Sequence, residues 1–186
     1  MAAVTDRDAE RSLTERDEIQ AFLARYGIWY RRFEGYPLGP DATDEELLAV
    51  HAKTIEELKA QGGYRTVDVV NVHPQTPDLD RMMQKFATEH THSEDEVRLV
   101  VSGRGLFHIH PENEPVFSIE VAAGDMINIP ADTRHWFHLC ENRAIRAIRL
   151  FQDPSGWVPE YTNSRIEASY KPLCFGPPPV AGPDDS

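Results

Sequence analysis

The chain has 186 residues, with 31 acidic against 19 basic side chains and a formal charge of -12. That length suits one domain with a real core, and the acidic balance, with no lysine- or arginine-rich block, excludes nucleic acid and anionic membrane surfaces as partners. The N-terminus, with Asp6, Arg7, Asp8, Glu10 and Arg11, lacks the apolar core of a signal peptide, and no apolar run is long enough to span a bilayer, so the sequence predicts a soluble, cytoplasmic protein.

The first third has helical periodicity. Thr14 is placed to cap a helix whose Ile19, Phe22, Leu23 and Tyr26 share a face and which Gly27 ends; Ile28 to Phe33 follow as a strand. Thr43-Asp44-Glu45-Glu46 is a capping box, and Leu47, Leu48, His51, Ile55 and Leu58 form the buried stripe of a helix stopped by Gly62-Gly63. On that stripe His51 reads as packed rather than catalytic. From Arg65 the pattern becomes extended. Strands are predicted at 66–72, 96–101, 105–110, 116–121, 125–129, 135–139 and 146–151, with a short helix at 79–85. Cys140 and Cys174 are too few for a disulfide framework and read as reduced thiols. Residues 1–175 form one predicted domain, and the proline-rich stretch 176–186 has little to bury and reads as a disordered tail.

The chemistry concentrates at His90-Thr91-His92-Ser93-Glu94-Asp95-Glu96 and at His135. In an extended segment His90 and His92 lie on one face, so both imidazoles can close on one ion. A carboxylate after the turn and a third imidazole from a later strand complete three nitrogens and one oxygen, a set suited to Fe, Ni, Mn, Co or Zn with positions left for substrate. The residues 124–135, a glycine turn, a strand, a proline turn and then His135, fit a small antiparallel barrel around a central metal. Spacing alone does not choose among Glu94, Asp95 and Glu96. Strand parity places Glu96, Arg98 and Val100 together, so an inward Glu96 brings Arg98 with it. A buried arginine needs an anion: either Glu96 itself, or a substrate oxyanion held in its planar fork. The same parity turns Phe137 and Leu139 inward beside His135, with Trp136 and His138 facing away; Phe137 suits a pocket wall or plain core. The rival pair His108 and His110 is expected to look outward, because Phe107 and Ile109 take the apolar face. His73 sits in a turn without a partner.

The runs EHTHSEDEVRLVVSGRGLFHIH, AGDMINIPADTRHWFHL and AIRLFQDPSGWV closely resemble the acireductone dioxygenases, metal-dependent members of the cupin superfamily. The resemblance covers about residues 86–158. It implies a mainly β cupin fold, a double-stranded β-helix or jelly-roll-like barrel with a few peripheral helices. It also implies that His90, His92, Glu96 and His135 bind one Fe(II) or Ni(II) per monomer without an organic cofactor, and that Arg98 generates and holds a substrate dianion. Glu89 and Asp95 match supporting positions. Phe86, Phe137 and Trp157 match aromatic positions near the pocket, where core packing and loop anchoring are equally open. The implied substrates are O2 and the acireductone 1,2-dihydroxy-5-(methylthio)pent-1-en-3-one of methionine salvage. Cleavage with Fe(II) gives 4-methylthio-2-oxobutanoate and formate; with Ni(II) it gives 3-methylthiopropanoate, formate and carbon monoxide. Another cupin oxygenase or isomerase, or a non-catalytic ligand-binding cupin, would share the ligand set. A monomer is expected, since no apolar seam stands out.

Overall fold

The computed structural model describes residues 3–6, 11–33, 38–39, 41–153 and 158–175. In chain order the elements are β1 (Ala3–Asp6), β2 (Arg11–Leu13), α1 (Arg16–Ala24), β3 (Trp29–Arg32), α2 (Asp44–Val50), α3 (Ala52–Gly62), β4 (Thr66–Val72), α4 (Leu79–Ala87), β5 (His90–Thr91), β6 (Glu96–Ile109), β7 (Phe117–Ala122), β8 (Asp125–Ile129), β9 (His135–Leu139), β10 (Ile145–Phe151), β11 (Glu160–Tyr161) and a 3-10 turn at Ile166–Ser169. Strands dominate, and every pairing is antiparallel.

The 14-residue β6 belongs to two sheets at once. Its first half lies between β8 and β10, which β3 and β4 extend outward. Its second half lies between β7 and β9, continued by β1 and β2 on one side and by β5 and β11 on the other. Two facing sheets sharing a bent strand make the expected jelly-roll-like barrel. The corner is Gly103, at φ +77°, where a Cβ would overlap the Ala144 carbonyl oxygen. The sequence suggests two strands, 96–101 and 105–110; instead this glycine turns one strand through a corner, and a register shift between Arg146 and Ala147 follows close by, opposite Val101.

Both faces of the first sheet are covered. Val97, Leu99, Met126, Ile148 and Leu150 pack outward against Ile55 and Leu58 of α3, while Val100, Ile127, Ile129 and Ile145 face the barrel interior with Phe107, Ile119 and Val121 from the second sheet. The helix predicted over 44–62 is broken at His51 into α2 and α3, and His51 is buried there against Phe33. The Thr43–Glu46 capping box forms as expected. At α1 the cap is Glu15, without a side-chain bond, rather than Thr14; the chain before it is taken by the β1–β2 hairpin, which pairs with β7.

The outward face of the second sheet corrects another expectation. His108 and Trp136 do point away from the barrel interior, yet both are fully buried. They stack with ring centroids 4.9 Å apart, Tyr170 packs on both, and Ser118 bonds His108 Nδ1 at 2.8 Å. The covering segment, residues 166–175, is fastened by a Cys140–Cys174 disulfide and by the Phe175 amide donating to Glu120. The two cysteines are therefore joined, not reduced. Their number and spacing gave no hint, because only the return of the C-terminal segment over the sheet brings them together. Closing a loop of 34 residues removes denatured-state entropy worth about 4 kcal/mol. Thiol titration of the unreduced, denatured protein is expected to find no free cysteine, and Cys174→Ser to cost about 2–4 kcal/mol in chemical denaturation. Two titratable thiols and unchanged stability would refute the linkage.

Candidate metal centre

Three imidazoles converge at one end of the barrel interior. β5 carries His90, His92 follows it, and β9 opens on His135, which pairs directly with His90. All three are buried, and one ring nitrogen from each lies within 4.8 Å of the others. Neighbouring backbone sets their orientation. His90 Nδ1 donates to the Thr88 carbonyl at 2.7 Å, His135 Nδ1 donates to the Thr133 carbonyl at 2.8 Å, and the Asp132 amide donates to the His92 carbonyl at 2.8 Å. A carbonyl only accepts, so in the neutral rings of His90 and His135 the lone pair is on Nε2.

Glu96 opens β6 and completes the cluster. Its Oε2 lies 2.9 Å from His135 Nε2 and 3.7 Å from His92 Nε2, while Arg98 holds Oε1 at 2.8 Å. This geometry tests whether a metal belongs here. With Nδ1 committed to Thr133, neutral His135 presents a lone pair to a carboxylate oxygen, and two acceptors at 2.9 Å repel unless a cation lies between them. A proton meets that need for one pair only; a divalent ion meets it for three nitrogens and the carboxylate together. The residues fit such an ion.

The electrostatics favour the ligand protonation states. Burial, reinforced by the proximity of His135, lowers the pKa of His90 to about 4, and burial lowers that of His92. Burial alone would raise Glu96, but Arg98 and then His135 hold it far below the ordinary carboxylate range. Arg98 falls to about 10 through burial, with Glu96 opposing the change and Arg149 adding to it. His90 and His92 thus stand as neutral imidazoles near an ionised carboxylate, the forms a metal binds.

A cavity of about 360 Å³ opens from this cluster. Glu96, Arg98 and Val100 line it together, as strand parity requires, and Phe86, Phe137 and Arg149 contribute to its wall. Gly105 makes the placement of Phe137 possible, because a Cβ there would overlap the Phe137 ring. Glu89 and Asp95 stay outside the cavity. Glu89 faces away from the imidazoles and accepts from His110, Thr162 and Ser164. Asp95 accepts from the Ala131 amide, Tyr64 and Asn128 at 3.0–3.1 Å, bracing the turn that delivers Glu96. Trp157 lies outside the described residues.

A family model described as the ARD/ARD' family matches residues 38–159. The chain belongs to the ARD/ARD' family. The curated acireductone dioxygenase of Picosynechococcus sp. is 37% identical over 174 residues, 93% of this chain and 99% of that protein. That of Methylococcus capsulatus is 40% identical over 159 residues, 85% of each. A solved acireductone dioxygenase from Bacillus anthracis, with a cadmium ion in its active centre, is 34% identical, matches with a TM-score of 0.79, and covers 87% of this chain and 98% of that one.

In this ARD/ARD' chain, sequence reasoning missed Arg149. It stands directly opposite Arg98 in the β6–β10 register and is held by Asp68 of β4, 2.7 Å from Nε. Alternation along Ile145-Arg146-Ala147-Ile148-Arg149 carries the signal, since the small Ala147 and Arg149 share one face and Ile148 and Leu150 the other. His110, expected to be merely outward-facing, is engaged with Glu89 at 2.5 Å.

The imidazole shifts carry a sign that can be measured. An unfolded chain takes up a proton at His90 near pH 6.5, whereas the folded metal-free site resists it until about pH 4. Stability of metal-free protein should therefore fall as pH drops from 7 toward 4, with Glu96 extending the loss at lower pH as its carboxylate is protonated. Melting curves across this range should show a shallower fall for His90→Gln than for wild type; parallel curves would contradict the buried neutral imidazole.

Proposed function

We propose that this chain cleaves an acireductone with dioxygen in methionine salvage, using a divalent iron or nickel ion held by His90, His92, His135 and Glu96. The observation that carries the reading is the meeting of that ligand set with a largely buried Arg98 on the wall of a mainly apolar cavity, in a chain of the ARD/ARD' family. When bound, the ion supplies Lewis acidity and charge neutralisation for an enediol that chelates through neighbouring oxygens.

The protein's own share is electrostatic and steric. On the cavity wall Arg98 is paired with Glu96, and Arg149 is paired with Asp68 behind the wall. A divalent ion would add positive charge to a wall that also carries Lys85, and the substrate dianion offsets that charge. Arg98 is placed to take an enediolate oxygen in its fork while still bonded to Glu96, so it stabilises the deprotonated substrate and fixes its orientation. Val70, Val72, Val100, Phe107 and Phe137 offer an apolar surface to the methylthio tail and exclude water from the electron-rich dianion. That dianion is itself the reductant of dioxygen, so the proposed reaction requires no flavin or nicotinamide. The identity of the ion sets the products: keto acid and formate with iron, carbon monoxide in addition to two acids with nickel.

The test is product analysis after separate reconstitution with Fe(II) and Ni(II), paired with two variants. His92→Ala is expected to lose metal and turnover together. Arg98→Ala is expected to keep stoichiometric metal while kcat/KM falls about 100-fold or more, the scale of removing one charge-stabilising donor. Normal turnover by Arg98→Ala would defeat the dianion role, and acireductone decay no faster than without protein would defeat the reaction.

A further inference from the structure

β5 is two residues long, yet it carries His90, and His92 stands immediately beyond it. A ladder that short cannot fix two metal ligands by backbone bonds alone. Its outer side is held by β11, where Tyr161 pairs with His90 and Glu160 with Thr91. β11 is equally short. What fastens the two together is Glu89, 1% exposed, whose side chain projects to the opposite side of the strand from the imidazoles.

Each Glu89 carboxylate oxygen has its own donors. Oε1 accepts from His110 Nδ1 at 2.5 Å, and Oε2 accepts from Ser164 Oγ at 2.5 Å and from Thr162 Oγ1. The Thr162 amide also donates to the Glu89 carbonyl at 3.2 Å. Thr162 and Ser164 are two residues apart, and Asn163 between them and Arg165 after them both take φ +60°, so the chain coils to bring both hydroxyls onto one oxygen. In the same return segment the main chain of Val158 contacts His92. One segment thus supports both ligands that β5 delivers.

We propose that Thr162 and Ser164 are positioning residues for the metal centre: through the buried Glu89 carboxylate they clamp residues 158–164 onto β5 and hold His90 and His92 for the ion. The inference rests on the metal-site reading and not on the substrate. Without the two hydroxyls, Oε2 is a buried charged oxygen lacking donors, a state costly enough to be relieved by releasing the segment or shifting Glu89. Either movement displaces the residue next to His90. Outer hydrogen-bond partners of metal ligands are worth 10–100-fold in metal affinity.

The experiment compares wild type, Thr162→Val, Thr162→Ser, Ser164→Ala and the double variant Thr162→Val/Ser164→Ala, each loaded with Ni(II) and cleared of excess. Nickel release into excess chromogenic chelator is followed at neutral pH, far below the melting temperature, with circular dichroism confirming the fold. Thr162→Val, nearly isosteric, and Ser164→Ala are each expected to release nickel about 10-fold faster, the double variant about 100-fold faster. Thr162→Ser, which restores the hydroxyl, is expected to match wild type. A merely structural role would lower the melting temperature and leave release from the folded protein unchanged, and that result overturns the proposal. If the double variant does not fold, wild-type release by both single variants overturns it equally. No acireductone enters the assay, so failure of turnover elsewhere and failure here remain separate results.

Discussion

An ionised carboxylate inside an apolar barrel is the constraint around which this molecule is arranged. Removing such a group from water costs several kcal/mol unless partners replace the lost hydration. Glu96 holds Arg98 with one oxygen and faces the His135 and His92 imidazoles with the other. Arg98 is offset by Glu96 itself, while strand register sets a second arginine, Arg149, opposite Arg98 and places Asp68 opposite Arg149 to offset that one. The result is two ion pairs, Glu96–Arg98 and Arg149–Asp68, set across three neighbouring strands with the two arginines side by side. Within the Glu96–Arg98 pair each charge is tolerable because of the other, so the loss of one leaves a charge largely removed from water and not simply a lost contact.

The surrounding architecture keeps the Glu96–Arg98 pair fixed and dry. A single strand, β6, carries Glu96 and Arg98 in one sheet and, past the Gly103 corner, Phe107 in the facing sheet, so the two walls of the cavity are one covalent piece. Each sheet is covered on its outer side, one by α3 and the other by residues 166–175 under the disulfide. No helix of the described residues is long and apolar enough to cross a membrane, and the helices serve instead as cladding. His90 and His92 sit where coverage is supplied by short strands, β5 and β11, and there buried side-chain hydrogen bonds supplement the short ladder.

Much of this was readable before any coordinates. Two-residue alternation placed Glu96, Arg98 and Val100 on one face and turned Phe137 toward the same space, because a strand's parity is fixed once one inward residue is known. The capping box and the stripe through Leu47, Ile55 and Leu58 located the second helical region for equally local reasons. What failed were inferences about long-range coverage. His108 and Trp136 were rightly assigned to the outer face, but outward did not mean exposed, since the C-terminal segment returns over them. The Cys140–Cys174 link and the hydroxyls on Glu89 depend on that same return path, which no local pattern encodes. Residues 96–101 and 105–110 were read as two strands and proved to be one that turns at Gly103; the difference lies in the neighbour of that glycine, Ala144, distant in sequence.

The central claim is that Glu96 Oε2 and the three imidazoles share one ion while Arg98 retains Oε1. Anomalous diffraction at the nickel edge from crystals of Ni(II)-loaded protein tests it directly. The account predicts one strong peak within bonding distance of His90, His92, His135 and Glu96, with Arg98 still on the free carboxylate oxygen. A peak lacking Glu96, or one displaced to Glu120 and the cysteine pair, would contradict it.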